Sequence, residues 1–195
     1  MGTYNIAKYC ELNNMQKEEL IEILLEGFGH LMTFTKDKAV LREIFSHSIN
    51  EDYVYAYVQG EKVLGFVGIA TNKVRPVKFD MEVCKKCMGK TQGARVCKQM
   101  NVIFQSKVVE EDTDLYIDFL ATAKSARGKG IGTALLTYCF HLPAYENYYI
   151  EVLSKNENAK RLYEKLGFTV WKRQYVSFIS LLGYGYPIKM KKNEM

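Results

Sequence analysis

Between Asp118 and Thr133 the chain reads Asp-Phe-Leu-Ala-Thr-Ala-Lys-Ser-Ala-Arg-Gly-Lys-Gly-Ile-Gly-Thr. Strand formers give way to small and cationic residues, and these to a run with helical spacing. Glycine stands at positions 128, 130 and 132, beside Arg127 and Lys129. The first amides of a helix have no intrahelical partner and carry partial positive charge. Glycine lets an anion come close to such amides, and the two side chains add whole charges. The expected chemistry is a diphosphate held by the backbone of Gly128, Lys129, Gly130, Ile131, Gly132 and Thr133, rather than a turn that only reverses the chain.

Two familiar phosphate loops do not fit. A Walker loop carries Lys-Ser or Lys-Thr after its last glycine, whereas Gly132 is followed by Thr133 and Ala134. A dinucleotide fingerprint needs glycine three places after Gly130, where Thr133 stands. No obvious acidic residue ends the next strand to take a ribose.

The run Arg127-Gly128-Lys129-Gly130-Ile131-Gly132 resembles the Arg/Gln-x-x-Gly-x-Gly/Ala signature of the GNAT acetyltransferase superfamily, and Leu120-Ala121-Thr122 resembles the strand before that loop. Lys124 stands where the family often has proline, a departure expected to change loop stiffness. A second block, Asn156-Glu157-Asn158-Ala159-Lys160-Arg161-Leu162-Tyr163-Glu164-Lys165-Leu166-Gly167-Phe168, is similar to the family's Asn-x-x-Ala-x-x-Leu-Tyr-x-x-x-Gly-Phe ending. The specific resemblance covers about Leu115 to Phe168.

The resemblance implies a fold and a reaction. The fold is the GNAT acyl-CoA N-acyltransferase fold, an α/β architecture of α+β type with a mixed, mainly antiparallel sheet flanked by helices. The reaction is transfer of an acetyl group from acetyl-CoA, as co-substrate, to a primary amine by direct attack in a ternary complex. By the same resemblance Leu120, Ala121 and Thr122 lie along the pantetheine arm, the loop holds the diphosphate, and Asn156 and Ala159 lie near the cofactor. Tyr163 matches the tyrosine that protonates the departing thiolate. Read by itself, Tyr163 is a core aromatic beside Leu162 and Leu166; the acid role comes from the full motif. Asp118 is a candidate base, because two residues before Leu120 is the same side of a regular strand; Glu151 on the neighbouring strand is the other. Either carboxylate could instead sit in a structural ion pair, and a water chain could replace both. The same motifs also suit a non-catalytic acetyl-CoA-binding sensor or regulatory module.

These residues must be positioned by the elements around them. Strands are expected at Thr3–Tyr9, Tyr53–Val58, Val63–Ala70, Leu115–Leu120, Tyr148–Leu153, Val170–Ile179 and Ile188–Lys192. Helices are expected at Met15–Phe28, Lys36–Ser46, Asp80–Met88, Ala94–Gln105, Ile131–Phe140 and Asn156–Leu166, with Gly89 and Gly93 interrupting the third and fourth. Without repeats or low-complexity linkers, residues 1–195 are expected to form a single domain. By the same resemblance the loop Gly27–Thr35, which includes His30, would wall the acceptor site, whereas Phe28, Leu31 and Phe34 also suit simple core packing; Gly183–Pro187 is either an aromatic wall of that site or only the turn between the last two strands.

The 195 residues are 48% apolar, enough for a core without disulfides or a structural metal. The cysteines, Cys10, Cys84, Cys87, Cys97 and Cys139, are irregularly spaced; Cys84 and Cys87 read as small core residues of a helix, and no metal is expected. Free thiols and the lack of a leader-like start suggest a cytoplasmic protein. The net charge of +5 is spread along the chain, without a linear basic stripe interleaved with aromatics, so nucleic acid is not an expected partner. The expected partners are acetyl-CoA and an amine on a small molecule or protein, without membrane, for a monomer or homodimer.

Overall fold

The computed structural model describes residues 4–143 and 145–193. Its strands are β1 (Tyr4–Lys8), β2 (Val54–Gln59), β3 (Lys62–Ala70), β4 (Asp114–Thr122), β5 (Asn147–Leu153), β6 (Thr169–Arg173) and β7 (Pro187–Asn193). Thr3, expected to begin the first strand, lies outside the described residues. The strands form one sheet in the order β1-β2-β3-β4-β5-β7-β6. Among the described residues, only the β4–β5 pair is parallel; the other neighbours are antiparallel. The expected mixed, mainly antiparallel sheet flanked by helices is what forms.

The helices are α1 (Asn14–Phe28), α2 (Lys38–Ser46), α3 (Met81–Met88), α4 (Lys90–Phe104), α5 (Ile131–Phe140), α6 (Glu157–Lys165) and the short α7 (Phe178–Leu181). Asn13 caps α1 reciprocally: its side chain accepts from Gln16 N at 2.9 Å, and the Gln16 side chain accepts from Asn13 N at 3.1 Å. Two cores lie on opposite faces of the sheet. In one, Leu20, Ile21 and Leu24 of α1 and Ile44 and Phe45 of α2 meet Phe66 and Phe119. In the other, Ile131, Leu135 and Leu136 of α5 and Tyr163 of α6 meet Ile117, Ile150 and Val152. The i, i+4 spacing of each apolar set turns it toward the sheet.

Two expectations from sequence are corrected. Gly93 does not interrupt α4, which runs through it from Lys90. A Cβ there would run into the Cys84 carbonyl, so this glycine allows α3 and α4 to touch rather than breaking a helix. The strand expected over Val170–Ile179 stops at Arg173. Pairing ends where Gln174 N donates to the carbonyl of Pro187, which has no N–H to return. Ser177 and Ser180 then cap each other, N to Oγ at 2.9 and 3.1 Å, and favour a helical turn over further strand.

Candidate active site

The β4–β5 ladder runs from the pair Asp114–Asn147 to Ile117–Ile150 and stops. Beyond it β4 stays paired with β3 as far as Thr122, and β5 stays paired with β7 as far as Leu153. The parallel strands therefore part at their carboxyl ends, and the sheet opens between them. Such openings are where α/β sheets take ligands. Ala123 N donates to Leu64 O on β3 at 3.0 Å. Backbone groups alternate along a strand, so those of Ala121 also turn to β3, while those of Leu120 and Thr122 turn into the gap. The Leu120 side chain packs with the α5–α6 core, and that of Ala121 with the α1–α2 core.

A β-bulge creates the divergence. Gly68 pairs with Phe119 and Ile69 with Ile117, which leaves Asp118 as the extra residue on β4. Ile117 consequently faces the α5–α6 core and Phe119 the α1–α2 core, although they stand two positions apart, as same-face residues of a regular strand would. The regular alternation that would set Asp118 on the same side as Leu120 is broken here. Asp118 instead meets Arg75: Nε donates to Oδ2 at 2.8 Å and Nη2 to Oδ1 at 2.9 Å. The two side chains are 10% and 9% exposed. Arg75 Nη1 also donates to Ser106 O at 2.6 Å, which ties the α4–β4 connection to the bulge.

Glu151 lies just past the end of the ladder, directly across from Lys189 of β7. Its carboxyl is pushed up by burial and by the nearby Asp118 charge, against the pull of Lys189. Burial also raises Asp118, against the pull of Arg75. Tyr116, a buried residue of β4, is raised by burial and then by Glu151 and Asp118, and it also feels Tyr163. Glu151, Asp118 and Tyr116 are thus close enough to feel one another's charge. Arg75 and Tyr116 were missed in the sequence. Arg75 lies 43 residues from its partner in a stretch with no periodicity, and only the fold brings the two together.

On the other side of the gap, the chain from Thr122 reaches α5 through a 3-10 turn, Lys124–Ala126. Gly128 has φ 77° and Gly130 φ 81°, left-handed values that favour glycine. A Cβ at either would meet open space, so backbone conformation, not crowding, selects glycine. Among the described residues, no acceptor receives a hydrogen bond from any backbone N–H between Gly128 and Thr133. Gly130 caps α5 without a side-chain bond, and Arg127, Lys129 and Thr133 are exposed. Arg127 Nε reaches back to Thr122 O at 3.5 Å. Lys124 pairs with Glu26 of α1 at 3.8 Å. Free amides, open space and cations together make a site for a polyanion.

Tyr163 projects from α6 with its ring buried beside Phe168, at 6.0 Å between centroids. Burial pushes its phenol up, so it stays protonated at neutral pH. No hydrogen bond to its hydroxyl is formed among the described residues, and no buried side-chain oxygen there lacks a partner, so the hydroxyl reaches open space. Asn156 caps α6, accepting from Ala159 N at 3.2 Å; Ala159 packs on the α5–α6 core. Across the opening, the α1–α2 loop meets the β6–β7 loop, with the His30 and Tyr184 rings 5.1 Å apart and Tyr184 Oη donating to His30 O at 3.4 Å. Phe28 sits edge-on to Phe119 at 5.1 Å. Cys84 and Cys97 are buried in the α3–α4 hairpin and Cys139 in α5, while Cys10 is exposed. Among the described residues, no group of three or more His, Cys, Asp or Glu is placed to hold a metal, and no helix is long and apolar enough to cross a membrane.

The sequence pattern of the acetyltransferase (GNAT) family matches residues 17–168. The chain belongs to the GNAT family. The family is one of acetyltransferases that use acetyl-CoA as co-substrate. A 66-residue stretch is 33% identical to a 5-NmdU N-acetyltransferase of Pseudomonas phage PaMx11. That stretch covers 34% of this chain and 46% of the phage protein, so the match spans about half the length of that relative. Among solved structures, an N-acetyltransferase from Staphylococcus aureus Mu50 superposes with a TM-score of 0.64 at 16% identity, over 96% of this chain and all of that one. A GNAT acetyltransferase from Bacillus cereus ATCC 10987 gives 0.59 at 15% identity over 100% and 99% of the two chains. At such identities the likeness is one of fold.

Proposed function

We propose that this GNAT acetyltransferase transfers acetyl from acetyl-CoA to a primary amine in one step, inside a ternary complex, with residues 1–195 acting as one catalytic domain. The observation that carries the reading is the parting of β4 and β5 at their carboxyl ends, supported by the unbonded amides from Gly128 to Thr133 and by a Tyr163 hydroxyl without a hydrogen-bond partner among the described residues. The amides and Arg127 grip the diphosphate. The exposed edge at Leu120 and Thr122 pairs with the pantetheine arm as an added strand. The Leu120 N–H stabilises negative charge on the acetyl oxygen as the amine attacks.

Two protons must move. Glu151, held up by burial, takes a proton from the amine directly or through water. Tyr163 gives one to the departing thiolate. Asp118 has both oxygens engaged by Arg75, so it serves as a fixed charge that tunes Glu151 rather than as the base.

The test has two parts. Calorimetry measures acetyl-CoA binding, and release of free thiol is followed with a panel of amines that includes 5-NmdU, the compound named for the phage relative. Binding with turnover of at least one amine supports the reading. No binding of acetyl-CoA overturns it. Tyr163→Phe is expected to keep the binding and lose about a hundredfold in turnover; unchanged turnover removes the acid role.

A further inference from the structure

The open face of the β5–β7–β6 half of the sheet departs from the rest of the molecule. Among the described residues, no buried member of the α1–α2 core comes from these three strands, so no helix of that core is packed on this face. Register assigns its side chains. Tyr149 pairs with Lys191, Glu151 with Lys189, and Lys172 with Lys189, while Met190 and Ile150 between them turn to the α5–α6 core. Trp171 is the extra residue of a second bulge, and its ring stands 5.6 Å from that of Tyr149. The Lys191 ammonium lies over the Tyr149 ring at 5.2 Å.

Trp171 is 60% exposed. Lys172, Lys189 and Lys191 form no ion pair within 4 Å among the described residues. A single exposed tryptophan is ordinary by itself, but here it stands in register with three lysines that lack an ion pair, and the combination is what matters. An exposed indole such as that of Trp171, set beside cations, is an element that binds single-stranded nucleic acid: a base stacks and phosphates are neutralised. The linear sequence hides this pattern, because the cations come from β6 and β7 and the rings from β5 and β6.

The geometry points to a single-stranded polynucleotide as the partner of this face, delivering a base-linked amine to the opening. The path is continuous. Trp171 and Lys172 lie on β6, Lys189 lies across β7, and Glu151 lies at the edge of the gap. The chain from β6 continues to Tyr175, 64% exposed and 4.7 Å from the Tyr186 ring, on the loop that meets His30. Delivery of an amine rests on the acetyl-transfer reading above; binding to the face does not.

The experiment is fluorescence anisotropy with a labelled 12-nucleotide oligo-dT, its RNA counterpart and a duplex, titrated over a range of salt. Expected is single-strand binding that weakens with salt. Trp171→Ala weakens it about tenfold through lost stacking. Lys172→Ala/Lys191→Ala lowers the slope of log K against log salt by about 1.4, roughly 0.7 per phosphate contact. The DNA and RNA arms tell which sugar is preferred. Absent or salt-insensitive binding overturns the inference, as does tighter binding to duplex, or binding untouched by these variants while circular dichroism shows them folded. Acetylation of a small amine is measured on the same variants. It is expected to persist in them; in the parent protein, acetylation without oligonucleotide binding would defeat this inference alone, and oligonucleotide binding without any acetylation would defeat the catalytic reading alone.

Discussion

Replacing Arg75 by Met removes the cation that bonds both oxygens of Asp118. Asp118 is 10% exposed and Arg75 9%, so water replaces little of what is lost. Breaking one side of a buried pair costs about 3–5 kcal/mol, far above the roughly 0–1 kcal/mol of a surface pair. With m near the top of roughly 1–3 kcal/mol/M, the urea midpoint should fall by about 1–2 M. The loss should depend on pH. Without Arg75, the carboxyl of Asp118 holds its proton still more tightly in the folded chain than in the unfolded one. Ionising it then weighs against folding, so the deficit grows as pH rises through the folded pKa and shrinks in acid. The double variant Arg75→Met/Asp118→Leu should recover to within about 1 kcal/mol of the parent, because an apolar pair of similar volume needs no counter-charge. The assay is urea unfolding of the parent, both single variants and the double, at pH 5 and pH 8. A loss under about 1 kcal/mol, equal at both pH values, would refute the reasoning and make the pair no better than a surface contact.

Glu151→Gln should lower kcat/KM about a hundredfold and abolish the acid limb of its pH profile, read by thiol release. The raised Glu151 carboxyl binds its proton more tightly folded than unfolded, so ionisation costs stability at neutral pH; Glu151→Gln should therefore be the more stable protein at pH 7, with the advantage fading toward pH 4, by thermal scans. Gly130→Ala forces a side chain to φ 81°, at a cost of about 1–2 kcal/mol, seen as a drop in Tm of about 2–8 °C, and it should weaken acetyl-CoA binding by calorimetry. Gly65→Val should fail more severely, because a Cβ there already lies 2.8 Å from the Ala121 carbonyl and from Ile131 Cγ2, where α5 docks on the sheet.

The sequence made some of this site legible and hid the rest for physical reasons. Helix α5 was read at its observed bounds, and α6 to within a residue at each end, because glycine, asparagine and apolar spacing act over a few residues and leave local marks. The glycines of the loop were read as allowing an anion close to the backbone, whereas the left-handed conformations of Gly128 and Gly130 emerge only from the structure. The bulge at Asp118 leaves no local mark. It is a mismatch between two strands some 50 residues apart, and nothing in Leu115–Leu120 alone breaks the alternation. Without it Asp118 looked like the nearer base; with it, the carboxylate belongs to Arg75. Gly93 was read as a breaker because local glycine suggests an end, whereas its cause is a helix neighbour. The face around Trp171 was invisible for a similar reason: its cations and rings meet only through register.

Amide-resolved NMR of the uniformly labelled protein, titrated with coenzyme A and separately with pantetheine, addresses the grip on the diphosphate most directly. Coenzyme A should move the N–H signals of Gly128 through Thr133 strongly and saturably, and pantetheine, which lacks the diphosphate, should leave them nearly still while shifting Leu120 and Thr122. Shifts confined to other parts of the chain, or identical responses to both compounds in the glycine loop, would contradict the account.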